Sequence, residues 1–312
     1  MTPGRLDAVL AAAFADLSRA RVQRLIAEGH VTRNSAPVRK SEQVEAGDLL
    51  ELTIPETPHE AAGVTFDLPI LYEDAWVVAV DKPAGIPVHG APGERRETIA
   101  DWFLARYPAE ATAFDVEHPG IVHRLDRDTT GVLLLAKTPG AQAALSAAFE
   151  ARSAKKTYLA VCDGVPRRPQ AIIDAPIARD PADRTRMAIV QRGGRAARTG
   201  YRLLGDDGRQ SLLLVDLFTG RTHQARVHLA AVGLPVSGDA IYGEAPPTAG
   251  RQLLHAWRIA VPHPGGGMVT VTAPMPADMA AAVRAMGLDG LASEYSEPHA
   301  AARTLPPEAT TA

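Results

Sequence analysis

Cysteine is almost missing from this 312-residue chain; Cys162 stands alone. A lone thiol excludes an internal disulfide framework and suits a reducing compartment. Also missing is any stretch approaching the roughly 18 uninterrupted apolar residues that a membrane-spanning helix needs, and the amino terminus shows no apolar segment behind a basic one. These absences predict a soluble, cytoplasmic protein with no membrane partner. No charge of one sign dominates either: 33 Lys and Arg stand against 36 Asp and Glu, so the chain as a whole carries no electrostatic mark of nucleic-acid binding. There is no Gly-rich phosphate loop and no Asp-Phe-Gly, which excludes a kinase despite the run His123-Arg124-Leu125-Asp126. Metal chemistry lacks its ligands too. His223 and His228, five residues apart, fall on different faces of a helix, and no cysteine or carboxylate cluster accompanies them.

Charge is present locally instead. Between positions 19 and 40 the charged residues are Arg19, Arg21, Arg24, Arg33, Arg39 and Lys40 against Glu28 alone. A second window holds Arg179, Arg184, Arg186, Arg192, Arg195, Arg198 and Arg202 against Asp180 and Asp183. Two basic patches in an acidic chain point to an oriented anionic partner or to two solvated faces. The length suits one small module ahead of one larger domain.

The small module comes first. Residues 6–14 are apolar at helical spacing. Ser18 is placed to cap a second helix that carries Val22, Leu25 and Ile26 on one side and ends at Gly29. Arg21 and Arg24 share a face of it. Residues 31–33, an Asn34-Ser35 turn and residues 49–54 read as a small sheet. Residues 56–65, with Pro58 among polar neighbours, read as a linker.

In the larger domain, residues 121–137 run from a knot of ionisable side chains into the apolar run 132–136, a strand covered on both faces. A charged loop at the end of a core strand is rigidly held, as a catalytic loop needs to be; a surface salt-bridge cluster is the plain alternative. Ahead of it, residues 81–85 end a strand, with Lys82 and His89 facing phosphate or solvent. Residues 98–107 and 142–152 read as helices, and 155–161 alternate like a strand with Tyr158 at the centre. Residues 212–217 form another strand, after which Thr222 is placed to cap a helix ending at Gly233, with Arg221 at the handover from strand to helix. Late strands at 253–261 and 269–273 and a helix at 278–286 follow. Residues 287–312, rich in Ala, Pro, Glu and Thr, read as a disordered tail.

Residues 5–54 resemble the S4 RNA-binding domain through Arg5-Leu6-Asp7, Leu10, Ser18-Arg19, Leu25-Ile26, Gly29, Val31, Asn34, Lys40, Val44 and Gly47-Asp48. Ser35 departs from the pattern, which places glycine after the asparagine. Residues 66–286 resemble the A-type pseudouridine synthases of ribosomal and transfer RNA in four separated motifs: Asp81-Lys82-Pro83-Ala84-Gly85; His123-Arg124-Leu125-Asp126 with Thr129-Thr130-Gly131; Lys156-Thr157-Tyr158; and Gly220-Arg221-Thr222-His223-Gln224 through Arg226 and His228. Thr130 stands where serine is commoner.

The resemblance implies an α+β protein: an S4 domain of two helices and a small sheet (1–55), joined to a mixed, mainly antiparallel catalytic sheet with flanking helices (66–286). It implies a cofactor-free isomerase that detaches the uracil of a chosen uridine, turns it and rejoins it through carbon 5. Asp126 matches the nucleophile, attacking the anomeric carbon or carbon 6, with Asp128 as bystander. Arg221 matches the basic residue paired with that aspartate, Tyr158 the ring stacked on the flipped base, and Arg124 the side chain filling the vacated space. Arg19, Arg21, Arg24, Arg33 and Lys40 are the expected RNA contacts of the module. Large-subunit ribosomal RNA is the expected substrate and the chain is expected to be monomeric, with no DNA partner; a transfer RNA synthase and a non-catalytic RNA-binding assembly factor are the alternatives.

Overall fold

The computed structural model describes residues 4–14, 17, 19–53, 64–90, 96–114, 118–183, 185–243 and 250–304. The expected cap Ser18, most of the expected linker and Arg184 lie outside them.

The amino-terminal unit consists of β1 (Gly4–Arg5), α1 (Leu6–Ala13), α2 (Arg19–Ala27), β2 (Val31–Arg33), β3 (Ala36–Pro37), β4 (Gln43–Val44) and β5 (Leu50–Leu52). Both helices turn their apolar stripe inward, so that Leu6, Leu10, Val22, Leu25, Ile26, Val31 and Val44 form one core. Beside it lies the buried Asp7, which accepts from Arg5, Arg19 and Gln23. Burial pushes its carboxyl up, but those hydrogen bonds more than offset it and hold the group at about 2.

The larger unit is built on one ten-stranded sheet. Its elements in chain order are β6 (Ile70–Glu73), β7 (Val77–Lys82), α3 (Ile99–Arg106), α4 (Pro108–Ala111), β8 (Thr130–Ala136), α5 (Pro139–Glu150), β9 (Lys155–Asp163), β10 (Gln170–Asp174), β11 (Ile177–Arg179), β12 (Met187–Ile189), β13 (Arg198–Asp206), β14 (Gln210–Leu217), α6 (Gln224–Ala231), β15 (Leu254–Pro262), β16 (Met268–Thr272), α7 (Ala277–Ala285), α8 (Asp289–Ser296) and β17 (Ala302–Thr304). The main path runs β10-β13-β14-β9-β15-β8-β7-β6; β16 adds to β15, and β17 to β16. Every pairing is antiparallel except β15 with β8, so the sheet is mixed and mainly antiparallel. β11 and β12 form a separate hairpin.

Residues on β8 alternate between two cores, Leu133 and Leu135 facing one and Val132 and Leu134 the other. That covering on both faces is why the run 132–136 has no polar alternation. Where β8 begins beside β15, Gly131 has φ +108°, and a Cβ there would run into the Ala256 carbonyl. Only glycine allows the two strands to close at that point.

The carboxyl-terminal segment differs from the expected tail. α8 buries Ala292 and Tyr295 against the core that α7 caps, the Trp257 and Tyr295 rings meet edge to face at 5.0 Å, and β17 extends the sheet. Low average hydropathy hid two anchor residues at helical spacing.

Candidate active site

β8 and β7 position the charged loop. Its backbone closes on itself where Thr129 N–H donates to Asp126 O at 3.1 Å. Lys82, fully buried at the end of β7, donates from Nζ to the carbonyls of Pro83 and Arg127, both at 2.7 Å. Gly85 N–H reaches the same Arg127 oxygen. The Asp81-to-Gly85 turn is therefore the brace of the loop, and Lys82 faces neither phosphate nor solvent. Burial drives the Lys82 amine down to about 7, against the pull of Asp128 and Asp126. His123 is likewise structural: Nε2 accepts the Leu134 N–H at 2.9 Å, the ring stacks on Phe149, and burial holds it neutral with a pKa near 3.

Asp126 projects into a cleft of about 520 Å³. The same cleft is lined by Arg124, Tyr158, Lys156, Arg221, Arg195 and Arg152. Tyr158 stands on β9 two residues beyond Lys156, on the same side of the strand, which puts a ring and an ammonium along one wall. Burial, and then the charge of Asp126, pushes the Tyr158 phenol well above its ordinary value, so it stays protonated. Asp128 instead pairs with its neighbour Arg127 at 3.0 Å and does not line this cleft.

The loop from Thr219 to Gln224 forms the facing wall. Gln224, buried at the start of α6, uses every polar atom: Oε1 accepts from Thr219 Oγ1 and Arg221 N, and Nε2 donates to Arg198 O and Thr199 Oγ1. The helix starts after His223, a residue in the left-handed region at φ 55° with no side-chain cap. Thr222 is thus not the cap; the Gln224 amide satisfies the turn instead. His228 is a core residue bound to Thr199 and Ala175, and no His/Cys/Asp/Glu cluster suited to a metal occurs among the described residues.

Asp126, Tyr158 and Arg221 all line the cleft, but the partner of Asp126 is Arg226. Arg226 Nη1 donates to Asp126 Oδ2 at 3.0 Å, while its Nε and Nη2 clamp Asp239 at 2.6 and 2.8 Å. Arg221 turns away and donates from Nε to Ala196 O. The reason is the anchor: Asp239, fixed by the N–H groups of Ile241 and Tyr242, holds the Arg226 fork so that one nitrogen faces Asp126. His223 also faces the carboxylate, with Nε2 3.9 Å from Oδ1.

None of the expected RNA contacts of the amino-terminal unit is among the residues lining this cleft. Arg19 is engaged by Asp7, Arg33 by Asp48 and the Gln43 carbonyl, and Arg21 is only 6% exposed rather than displayed. Arg24 is half-buried, and Lys40 is exposed. Sequence reasoning gave no role to Lys156, Arg152 or Arg195, which make the cleft strongly cationic. Arg195 belonged to a window already flagged as basic, and Lys156 to a quoted motif; Arg152 left no signal.

The family model described as RNA pseudouridylate synthase matches residues 76–231, and that of the S4 domain matches residues 4–50. An uncharacterised RNA pseudouridine synthase of Chloroflexus aurantiacus is 46% identical over 91% of this chain and 90% of its own length. The ribosomal large subunit pseudouridine synthase D of Nitrosomonas europaea is 38% identical over 90% of this chain and 84% of its own. Among solved structures, human RNA pseudouridylate synthase domain containing 1 superposes with a TM-score of 0.58 at 25% identity, over 78% of this chain and 93% of that one. With an S4 domain ahead of the mixed sheet, and a cationic cleft at the ends of its strands, this chain belongs to the RNA pseudouridine synthases, isomerases that act on RNA.

Proposed function

We propose that the protein converts uridine to pseudouridine in large-subunit ribosomal RNA, with Asp126 as the nucleophile acting on a uridine turned out of its stack. The observation that carries the reading is the Asp126–Arg226 pair at 3.0 Å, set in a cleft of about 520 Å³ with Tyr158 alongside. One carboxylate oxygen is held by the guanidinium, and the other, 3.9 Å from His223 Nε2, makes no closer ion pair among the described residues. Attack on the anomeric carbon and attack on carbon 6 need the same unprotonated oxygen. The glycosidic carbon–nitrogen bond breaks, the base turns and carbon 5 bonds to the sugar; the bond to Asp126 breaks and returns the carboxylate, carbon 5 loses its proton and N1 gains one. The Tyr158 ring supplies stacking worth about 1–3 kcal/mol, comparable to the cost of unstacking the nucleotide. Arg124, exposed at the rim, takes the place of the departed base.

Support for ribosomal RNA comes from the S4 domain and from relatives in Nitrosomonas europaea and Zymomonas mobilis named for the large ribosomal subunit. The S4 unit, through residue 55, supplies backbone contacts ahead of a catalytic unit that begins near residue 66. The test is incubation with large-subunit ribosomal and transfer RNA transcripts, followed by chemical mapping of pseudouridine. We expect product in the ribosomal transcript only, and none from Asp126→Asn, which still binds. Product in transfer RNA alone moves the substrate; full turnover by Asp126→Asn removes the nucleophile.

A further inference from the structure

Tyr242 stands between two arginines. The guanidinium carbons of Arg226 and Arg186 each lie 5.2 Å from its ring centroid. Arg226 is the side chain that holds Asp126. Arg186 adjoins Met187 at the foot of the β11–β12 hairpin, which rests on α6 through a small core of Met187, Val227, Ile177 and Tyr242. One aromatic ring therefore touches both the catalytic pair and the arginine-rich hairpin.

The hydroxyl adds a direction. Tyr242 Oη accepts the Met187 N–H at 2.9 Å and lies 2.9 Å from His223 Nδ1, to which it can donate its own proton. With Nδ1 accepting, the proton of the neutral imidazole sits on Nε2. Nε2 is the atom turned toward Asp126 Oδ1. Through its face Tyr242 supports the cation on Oδ2, and through its hydroxyl it sets the donor facing Oδ1.

Arg186 supplies the other end. Its Nε is buried and has no hydrogen-bond partner among the described residues. The side chain as a whole is only half-buried, so the rest of the guanidinium stays open to an anion, and for an enzyme acting on RNA that anion is a backbone phosphate. We propose that Tyr242 is a positioning residue for the isomerisation, through which an RNA phosphate seated on Arg186 sets the orientation of Asp126. This rests on the reading of Asp126 as nucleophile.

Two measurements on the full-length chain test it. The first needs no RNA: long-range proton–nitrogen spectra of 15N-labelled histidines. His223 is expected in the Nε2-protonated form in the parent and as a mixture in Tyr242→Phe; an unchanged tautomer in that variant overturns the proposal. The second is turnover on a large-subunit ribosomal RNA transcript. Tyr242→Phe keeps the stack and loses the hydroxyl, so kcat is expected to fall about 10- to 100-fold with KM within about twofold. Tyr242→Leu, which loses the stack as well, falls further. Arg186→Gln lowers kcat in the parent but adds nothing in Tyr242→Leu; simple multiplication of the two losses overturns the coupling. Full turnover by Asp126→Asn alongside a shifted His223 tautomer would remove the nucleophile reading and leave the Tyr242–His223 link standing, so the two failures are distinct.

Discussion

Arg226 joins two carboxylates that are 113 positions apart in the chain, donating to Asp126 at 3.0 Å and to Asp239 at 2.6 and 2.8 Å. Burial opposes its charge, but the hydrogen bonds and charge of Asp239, and then of Asp126, raise its pKa above the ordinary arginine value. Asp239 is pushed up by burial and pulled below the usual carboxylate range by the same guanidinium. The Asp126 carboxylate is thus held by a cation whose own position is fixed from behind.

Removing that rear anchor should cost rate before it costs binding. Asp239→Asn leaves Arg226 with a weaker clamp, and we expect kcat to fall by about 100-fold while KM changes little, because a misplacement of the carboxylate is felt only in the reaction. Arg226→Lys loses the fork and leaves Asp239 with one mobile side-chain donor beside the Ile241 and Tyr242 N–H groups; an unfolding cost of about 3 kcal/mol is expected. Steady-state kinetics and chemical denaturation of the two variants check both figures.

Lys82 gives a pH signature. Its buried amine has a pKa of about 7 against an ordinary 10.5. Between those values the unfolded chain binds a proton that the folded chain has released, so the Lys82 contribution to stability rises with pH from about 7 to about 10.5. Below 7 both states are protonated and the burial penalty is fully present. Lys82→Met is expected to lose that rising limb in the difference from the parent. It should also slow turnover, since the Arg127 carbonyl that fixes the Asp126 loop keeps only the Gly85 N–H as donor. Denaturation midpoints at pH 6 to 10 decide; parallel curves exclude Lys82 as the source.

Much of this was legible in the residues. The apolar run 132–136, the strand around Tyr158 and the helix behind Thr98 all follow from periodicity and caps; three of the four motifs line one cleft and the fourth, Asp81 to Gly85, braces its loop. What was not legible is who pairs with whom. Arg221 and Arg226 stand in the same motif, and their choice of partner depends on Asp239, which spacing cannot connect to either. The β11–β12 hairpin was hidden because its strands are only three residues long, and α8 because two buried residues carry it. His223 in the left-handed region displaced the expected Thr222 cap for a reason only the Gln224 network shows.

Ser35 marks a local misfit. Asn34 and Ser35 have φ of 49° and 64° and close the two-residue turn between β2 and β3. Asn34 secures its own place through Leu49 N–H and Asp48, but among the described residues Ser35 has no such compensation for a left-handed backbone. Ser35→Gly is expected to stabilise the amino-terminal unit by about 1 kcal/mol, read as a higher denaturation midpoint with unchanged turnover. A lower midpoint would show that the serine hydroxyl contributes more than the backbone strain costs.

Tyr158 separates stacking from proton transfer. Its phenol stays protonated because burial and the neighbouring Asp126 charge both disfavour the phenolate. Tyr158→Phe keeps the ring, so RNA affinity should hold within about twofold while the single-turnover rate falls about 100-fold, the scale of a lost acid or base. Equal rates for the two proteins would make Tyr158 a platform only.

Lys156 is the cleft cation whose charge lies within reach of ordinary buffers. Burial, assisted by Arg221, brings its amine down to about 8, and Nζ donates to the Thr219 carbonyl at 3.2 Å while lining the cleft. The other cations that line the cleft are arginines, which keep their charge. Raising the pH through 8 therefore neutralises one contact and leaves the arginines in place. KM for RNA should rise above pH 8, and the slope of log KM against log salt should fall by about one unit as a single phosphate contact is lost. Lys156→Met should show the weaker, less salt-sensitive KM already at pH 7 and no further change on going to pH 9. If the variant keeps the same alkaline rise as the parent, the titrating group is elsewhere and Lys156 serves only to tie Thr219 to β9.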